Sequence, residues 1–314
     1  MDYANRTTTP STWLPLRLGR AIWRQGARTP RCPDTPRLDG KLAVVTGGNA
    51  GIGLEISRGL AKRGAEVIIA ARGASTAAEA CDQIARETGS SIRYLPLDLS
   101  NLDSVVTATE NLLALVRDRA VDILVANAGI WPQDYAASAQ GHEIAFAVNI
   151  LGHHVLVRRL LDRGLLRDGR VVILTGDIYI RARECTSDFA YQGSRGGGLA
   201  YSRSKLGSLW FAGELQRRHP ALQVYVVHPG VVASGLGGGA SSGFGAFMRR
   251  TMLIDAKAGA QTPLWCATQP NLVRGAYYHN TMGRIELPQQ DPAADAQKAS
   301  TLWARLEELS TPFV

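Results

Sequence analysis

The chain predicts an α/β fold, a doubly wound parallel sheet in a single domain, and three observations carry that expectation. Apolar strand-like runs alternate with amphipathic helical stretches over most of the 314 residues. A glycine-rich turn follows the first strong run, and the other residues with chemical potential also fall just after strand ends. Such alternation argues for parallel strands covered by helices on both faces, with ligands held at the C-terminal ends of the strands.

In chain order, residues 1–37 read as an arginine-rich N-terminal extension. They carry Arg6, Arg17, Arg20, Arg24, Arg28, Arg31 and Arg37 against Asp2 and Asp34, which places +5 of the net +8 there. Leu14, Leu18 and Ile22 fall on one helical face and Arg17, Arg20 and Arg24 on another, the layout of an interfacial helix. Trp13 and Trp23 do not join the apolar face, and Pro15, Pro30, Pro33 and Pro36 keep the element short. Packing on the protein's own body, or disorder, is the favoured reading, with peripheral membrane contact as the alternative.

From residue 38 to 314 a single domain is expected. Strands are predicted at residues 42–46, 66–71, 92–95, 122–126, 170–175 and 223–228, with helices in the gaps. The glycine clusters at 193–198 and 234–239 read as loops, placed where hinges of a substrate lid would lie.

With the tail set aside the body is close to charge balance, which argues against nucleic acid as a partner despite the high pI. Cys32, Cys81, Cys185 and Cys266 show no Cys-x-x-Cys spacing, which fits reduced thiols and a cytoplasmic setting. Adjacent His153 and His154 suit no metal-ligand spacing, so no metal is expected. No run approaches the eighteen or more apolar residues of a membrane span.

Two motifs carry chemistry. Thr46-Gly47-Gly48-Asn49-Ala50-Gly51-Ile52-Gly53 follows a buried strand and opens a helix, the arrangement that holds a dinucleotide pyrophosphate on backbone N–H groups. Tyr201 and Lys205 stand four apart, so on a helix they face the same way and can meet one substrate oxygen together. A tyrosine titrates near pH 10 and needs a neighbouring cation to exchange protons at neutral pH; Lys205 is placed to supply it. At the end of the second strand Arg72 stands where an NAD-preferring protein usually has a carboxylate, so NADP(H), whose 2′-phosphate a guanidinium pairs bidentately, is the expected cofactor.

Together with Asn127-Ala128-Gly129, Asn149 and Pro229-Gly230, these motifs in this order resemble the short-chain dehydrogenase/reductase family. The segments 148–153, 201–207, 227–232 and 259–262 resemble its retinol-dehydrogenase-like branch. The resemblance implies Tyr201 as general acid, Lys205 lowering its pKa and holding the ribose, and Asn149 positioning a water relay. It further implies that Asp98, followed by Leu99, binds the adenine amine and that Asn127 lies beside the adenine ribose. Ile52 would pack near the nicotinamide, Pro229, Gly230 and Val232 would bind the cofactor, and Ser234 would replace the usual threonine at the carboxamide. The Tyr201 helix is a common pairing surface in the family, so a homodimer is an implied assembly.

One family member is missing. The serine that polarises the carbonyl falls on Gly176, within Arg170-Val-Val-Ile-Leu-Thr-Gly-Asp177. Thr175 supplying a hydroxyl, Asp177 acting as a carboxylic acid kept protonated by apolar surroundings, and weak turnover are three open outcomes. Ile130, Trp131, Tyr179, Phe189, Tyr191, Phe244, Phe247, Met248 and Met252 cluster around the expected substrate side and favour a bulky apolar carbonyl compound or alcohol. The expected function is NADP(H)-dependent carbonyl–alcohol interconversion, with an NADP(H)-binding scaffold or sensor and a carbon–carbon double-bond reductase as the alternatives.

Overall fold

In the computed structural model, which describes residues 3, 6–117, 119–232 and 253–314 apart from the side chains of Leu14, Leu18 and Gly26, the chain starts with a short strand and a helix. These are β1 (Thr7–Thr8) and α1 (Leu14–Arg28). The alternation read from the sequence follows: β2 (Leu42–Thr46), α2 (Gly51–Lys62), β3 (Glu66–Ala71), α3 (Ala74–Thr88), β4 (Ile92–Pro96), α4 (Leu102–Val116) and β5 (Ile123–Ala126). Then come α5 (Ile144–Phe146), a π-helical turn at Ala147–Leu151, α6 (Gly152–Asp162), β6 (Arg170–Leu174), α7 (Gly193–Arg218) and β7 (Gln223–His228). The chain closes with α8 (Ala256–Gly259), α9 (Gln261–Thr268), β8 (Tyr277–His279), β9 (Gly283–Ile285) and α10 (Ala296–Ser310).

The nine strands form one sheet in the order β1-β9-β8-β7-β6-β5-β2-β3-β4, parallel throughout except for the β8–β9 pair. Every residue of β2 is buried because the sheet is covered twice. Leu42, Val44 and Ile68 point into one apolar layer with residues of α4, α6, α7 and α10, whereas Ala43, Val45, Val67 and Ile69 point into the other with α2, α3 and α9. Strand order reverses between β2 and β5, and that reversal opens the crevice in which such sheets bind ligands.

The N-terminal segment adds to this body. Thr7 and Thr8 pair in parallel with Arg284 and Ile285 of β9, and α1 packs against the turn at Asp177–Arg181. The two-faced division of α1 needs one correction. Arg17, expected on a solvated face, is 2% exposed, while Trp13 and Trp23 are 64% and 82% exposed. Arg17 is drawn inward because a buried carboxylate, Asp177, lies beneath it. The side chains of Leu14 and Leu18 fall outside the described residues.

One other expectation is corrected. Gly193–Gly198 is the opening of α7 rather than a hinge loop, because the glycines let backbone pack closely. A Cβ on Gly197 would lie 2.0 Å from the carbonyl oxygen of Pro132, and one on Gly196 would lie 2.5 Å from the Tyr191 Cβ. The continuous helical stretch Ile144–Asp162 is long and apolar enough to cross a bilayer, but 83% of its apolar window is buried inside the protein, as expected of a core helix. The second glycine cluster, 234–239, together with Ser234, Phe244, Phe247, Met248 and Met252, lies outside the described residues.

Candidate active site

Thr46 ends β2 with its side chain turned inward. Its Oγ1 accepts hydrogen bonds from the Asn127 and Ala128 amides at 3.0 Å and lies 2.9 Å from His153 Nε2, tying the ends of β2 and β5 to α6. Gly47 follows at φ +63°, and a Cβ on Gly53 would sit 2.1 Å from the Gly47 carbonyl oxygen, so both positions require glycine for close approach. At Gly51, φ +53°, an added Cβ would meet nothing within 4 Å, which leaves open space at the start of α2. These are the features a pyrophosphate needs: a glycine cradle on the positive end of a helix of twelve residues.

A cavity of about 750 Å³ extends from this cradle in both directions along the strand ends. Toward β3 and β4 it is walled by Asn49, Arg72, Asp98 and Leu99; toward β5, β6 and β7 by Ile52, Asn127, Ala128, Gly129, Ile130, Thr175, Tyr201, Lys205 and Pro229. Arg72 is exposed and its guanidinium is free to meet an anion, whereas Asn49 Nδ2 donates to Thr76 Oγ1 at 2.9 Å. Asp98 accepts from the Ser100 amide and hydroxyl at 2.9 and 2.6 Å, which fixes its carboxylate at the cavity edge. The donor set fits an extended dinucleotide with an additional phosphate near Arg72.

At the other end, Tyr201 and Lys205 project from one face of α7. The Tyr201 ring stacks on Trp131, centroids 4.7 Å apart and planes 12° apart, and Lys205 Nζ sits 5.4 Å from the Tyr201 ring centre. The expectation that Lys205 lowers the tyrosine pKa is not met in the protein alone: burial pushes the phenol up to about 12. Burial also lowers the Lys205 ammonium to about 8, and its Nζ donates to the Leu174 carbonyl at 3.1 Å. Asn149 lies behind the cavity in the π-helical turn. Its Oδ1 accepts from the Ile130 amide at 2.8 Å, and its Nδ2 donates to the Ile130 carbonyl and to Ser204 Oγ. A π-turn at such a residue is a frequent mark of a functional position.

Neither expected substitute for the missing serine faces the cavity as a free donor. Thr175 lines it, but its hydroxyl donates to the Lys205 carbonyl at 2.9 Å. Asp177 is turned away and wholly buried, and the expectation of a protonated acid is corrected. Burial alone opposes its charge, yet His279, His228 and Arg17 together hold the carboxyl well below the usual carboxylate range. Arg17 Nη2 stands 2.8 Å from Asp177 Oδ1, and Tyr277 Oη donates to the same oxygen at 3.1 Å. Tyr179, expected on the substrate side, is instead fully buried. It accepts from Arg17 Nη1 and donates to Asp291 Oδ2 at 2.8 Å. Phe189 and Tyr191 stack on each other, with Arg203 over Phe189 and the Tyr191 hydroxyl on Glu143.

Asp177, His228 and His279 bring three potential metal ligands within 4.8 Å of one another. Their hydrogen bonds point elsewhere. His228 Nδ1 accepts from the Gly230 amide at 2.8 Å and His279 Nδ1 from the Thr281 amide at 3.1 Å, so each ring turns its Nε2 toward Asp177. A cation there would have to compete with Arg17 for the Asp177 carboxylate. The network is built on the buried Arg17–Asp177 ion pair, and replacing Arg17 by methionine should destabilise the fold by about 3–5 kcal/mol by stranding the carboxylate, as read by urea unfolding.

Burial disfavours the charged form of three groups, His153, His154 and His228. Burial lowers His153 to about 4, and His154 and His228 to about 3, from an ordinary 6.5. Because the folded values are depressed, their stability is fully present above pH 6.5 and is lost as pH falls toward 4 and then 3. At pH 5 each should cost about 2 kcal/mol. A melting temperature that stays flat between pH 7.5 and 5 would contradict their burial as neutral rings.

Residues 41–243 match the short chain dehydrogenase family model. The chain is a short-chain dehydrogenase. Mouse (Mus musculus) retinol dehydrogenase 12 is 34% identical over 79% of this chain and 80% of its own length. Mouse retinol dehydrogenase 14 is 31% identical over 91% and 93%. Among solved structures, an uncharacterised protein from Mycobacterium paratuberculosis superposes with a TM-score of 0.70 at 31% identity, covering 88% of this chain and 96% of that one. This short-chain dehydrogenase therefore belongs to the retinol-dehydrogenase-like branch of a family of oxidoreductases that use nicotinamide cofactors. Ordinary sequence reasoning missed Arg17, Tyr277, His228 and His279, whose partners lie far away along the chain.

Proposed function

We propose that this short-chain dehydrogenase interconverts a carbonyl and an alcohol on a bulky apolar substrate, using NADP(H) and Tyr201 as general acid and base. The observation that carries the reading is that Tyr201 and Lys205 wall the same cavity as the glycine cradle and Arg72. NADPH, when bound, supplies the hydride. Gly47, Gly51, Gly53 and Arg72 would hold its phosphates, and Asp98 and Asn127 its adenosine half. Tyr201, protonated at neutral pH, gives its proton to the carbonyl oxygen in reduction and takes it back in oxidation. Asn149 sets the Ile130 backbone that shapes the wall beside the phenol.

Ile130 gives that wall an apolar surface with Trp131 stacked on the Tyr201 ring beside it, and the relatives named for retinol, a bulky apolar alcohol, support the same substrate class. The four unpaired cysteines support a cytoplasmic setting. A second reading is favoured by the region 175–177, where Thr175 and Asp177 are engaged elsewhere. A carbon–carbon double-bond reductase, or an NADP(H)-binding scaffold or sensor, makes less use of a carbonyl-polarising donor.

The test is optical: NADPH and NADH consumption with bulky apolar ketones, aldehydes and enones, with products identified by mass. Alcohol formation with NADPH supports the reading, saturated ketone from enones supports the second, and tight NADPH binding without turnover supports the scaffold. In parallel, Arg72→Ala should weaken NADPH binding about 10- to 100-fold, the scale of a charge-assisted hydrogen bond, while leaving NADH binding unchanged. Equal loss for both cofactors would remove Arg72 from the phosphate site.

A further inference from the structure

The helix α1 lies outside the segment that matches the family model, yet it grips the body at both strand ends that flank the reactive side of the cavity. One grip is on the turn after β6. Arg17 pairs with Asp177 at 2.8 Å with both side chains at most 1% exposed, and Asp177 immediately follows Gly176. The second grip is on the turn after β7. Gln25, 2% exposed, accepts the Val231 amide proton on Oε1 at 3.0 Å and donates from Nε2 to the Val231 carbonyl at 3.3 Å. That two-point contact satisfies both main-chain groups of a residue two positions past Pro229, which walls the cavity.

The turn between these grips has little freedom of its own. Gly230 stands at φ +103°, and an added Cβ would meet Asn280 Nδ2 at 2.6 Å and Ile254 Cδ1 at 2.7 Å. The Gly230 amide is held by His228 Nδ1, whose ring points its other nitrogen toward Asp177. Asn280 Nδ2 in turn donates to Thr29 Oγ1, at the C-terminal end of α1. Arg17, Gln25 and Thr29 thus reach residues 229–231 by three routes, through Asp177 and His228, through Val231 directly, and through Asn280.

We infer that Arg17 and Gln25 are positioning residues, and that α1 acts as an intramolecular clamp setting the 229–231 turn against the half of the dinucleotide remote from Arg72. The topology separates the two halves. The adenosine phosphate end lies by β3 and β4, on the far side of β2 from β6 and β7, so a disturbed 229–231 turn reaches only the other half. The inference rests on the cofactor reading above but not on the reaction.

The experiment compares two ligands on Gln25→Ala and Arg17→Lys: NADPH, and 2′,5′-ADP, which carries only the adenosine half. Fluorescence titration of Gln25→Ala should show NADPH binding weakened about tenfold, the scale of one or two neutral hydrogen bonds, with 2′,5′-ADP unchanged. Arg17→Lys, which keeps the charge beside Asp177 should Gln25→Ala not fold, should show a smaller loss confined to NADPH. Unchanged NADPH affinity in folded Gln25→Ala, or parallel loss of both ligands, would overturn the clamp. A parent protein that prefers NADH overturns the NADP(H) assignment instead, and the clamp is then judged in the same way on NADH against AMP.

Discussion

Replacing Tyr201 by phenylalanine should lower carbonyl reduction by about 10²–10⁴-fold, the usual contribution of a positioned general acid, while leaving NADPH binding intact. The substitution removes one oxygen and nothing else that the structure relies on. The ring keeps its stacking on Trp131, α7 keeps its helical path, and Lys205 keeps its bond to the Leu174 carbonyl. Burial holds the phenol at about 12, so at pH 7 it is the proton donor that reduction requires. Stopped-flow measurement of NADPH oxidation, with binding followed in the same samples, separates chemistry from affinity. Turnover retained in the phenylalanine variant would mean that the proton comes from elsewhere, and the carbonyl reading would fall.

The second large effect runs the other way. Gly176→Ser should raise turnover on a simple ketone by about 10²–10³-fold, the amount usually lost when one donor to a developing oxyanion is removed. The backbone there accepts a serine without strain: φ is −161° and ψ 145°, ordinary extended values, and an added Cβ meets nothing within 4 Å. The neighbouring hydroxyl and carboxylate are already spent, Thr175 on the Lys205 carbonyl and Asp177 on Arg17. The new hydroxyl would therefore be the first uncommitted side-chain donor at residues 175–177. No gain, with the variant folded and binding NADPH, would show that a serine at this position does not reach the carbonyl oxygen.

The features read correctly from sequence are those whose cause is local. An apolar run followed by Thr46–Gly53 has one economical structure, and the β2, β3 and β7 boundaries coincide with the expected strands because turns punctuate them. The spacing of Tyr201 and Lys205 needs only a helix. What was illegible depends on partners far away. β1 has two residues and β9 three, too short for any periodicity, and β1 is a strand only because β9, itself paired with β8, lies beside it. Arg17 looks like one more solvated arginine until Asp177, 160 positions later, is known to be buried beneath it. Gly193–Gly198 carries the composition of a loop, and only the close approach of Pro132 and Tyr191 shows why a helix wants glycine there. Nothing in the sequence around Asp177 shows that Arg17, His228, His279 and Tyr277, all distant along the chain, surround it in space.

The pairing of the first residues with the last carries a consequence for biosynthesis. Thr7 joins Arg284 in the sheet, the Tyr3 hydroxyl donates to the His279 carbonyl, and Arg17 bridges Asp177 to Asp291. A ribosome adding about 5–20 residues per second delivers Asp177 roughly 8–32 seconds, and residues 279–291 roughly 15–55 seconds, after the N-terminal segment. Until then an arginine-rich helix, with Trp13 at its start and Trp23 within it, waits without its docking site, exposed to whatever else the nascent chain meets. The sheet can grow from β2 outward during synthesis, but its edge strand β1 is added last although it is made before every strand it joins.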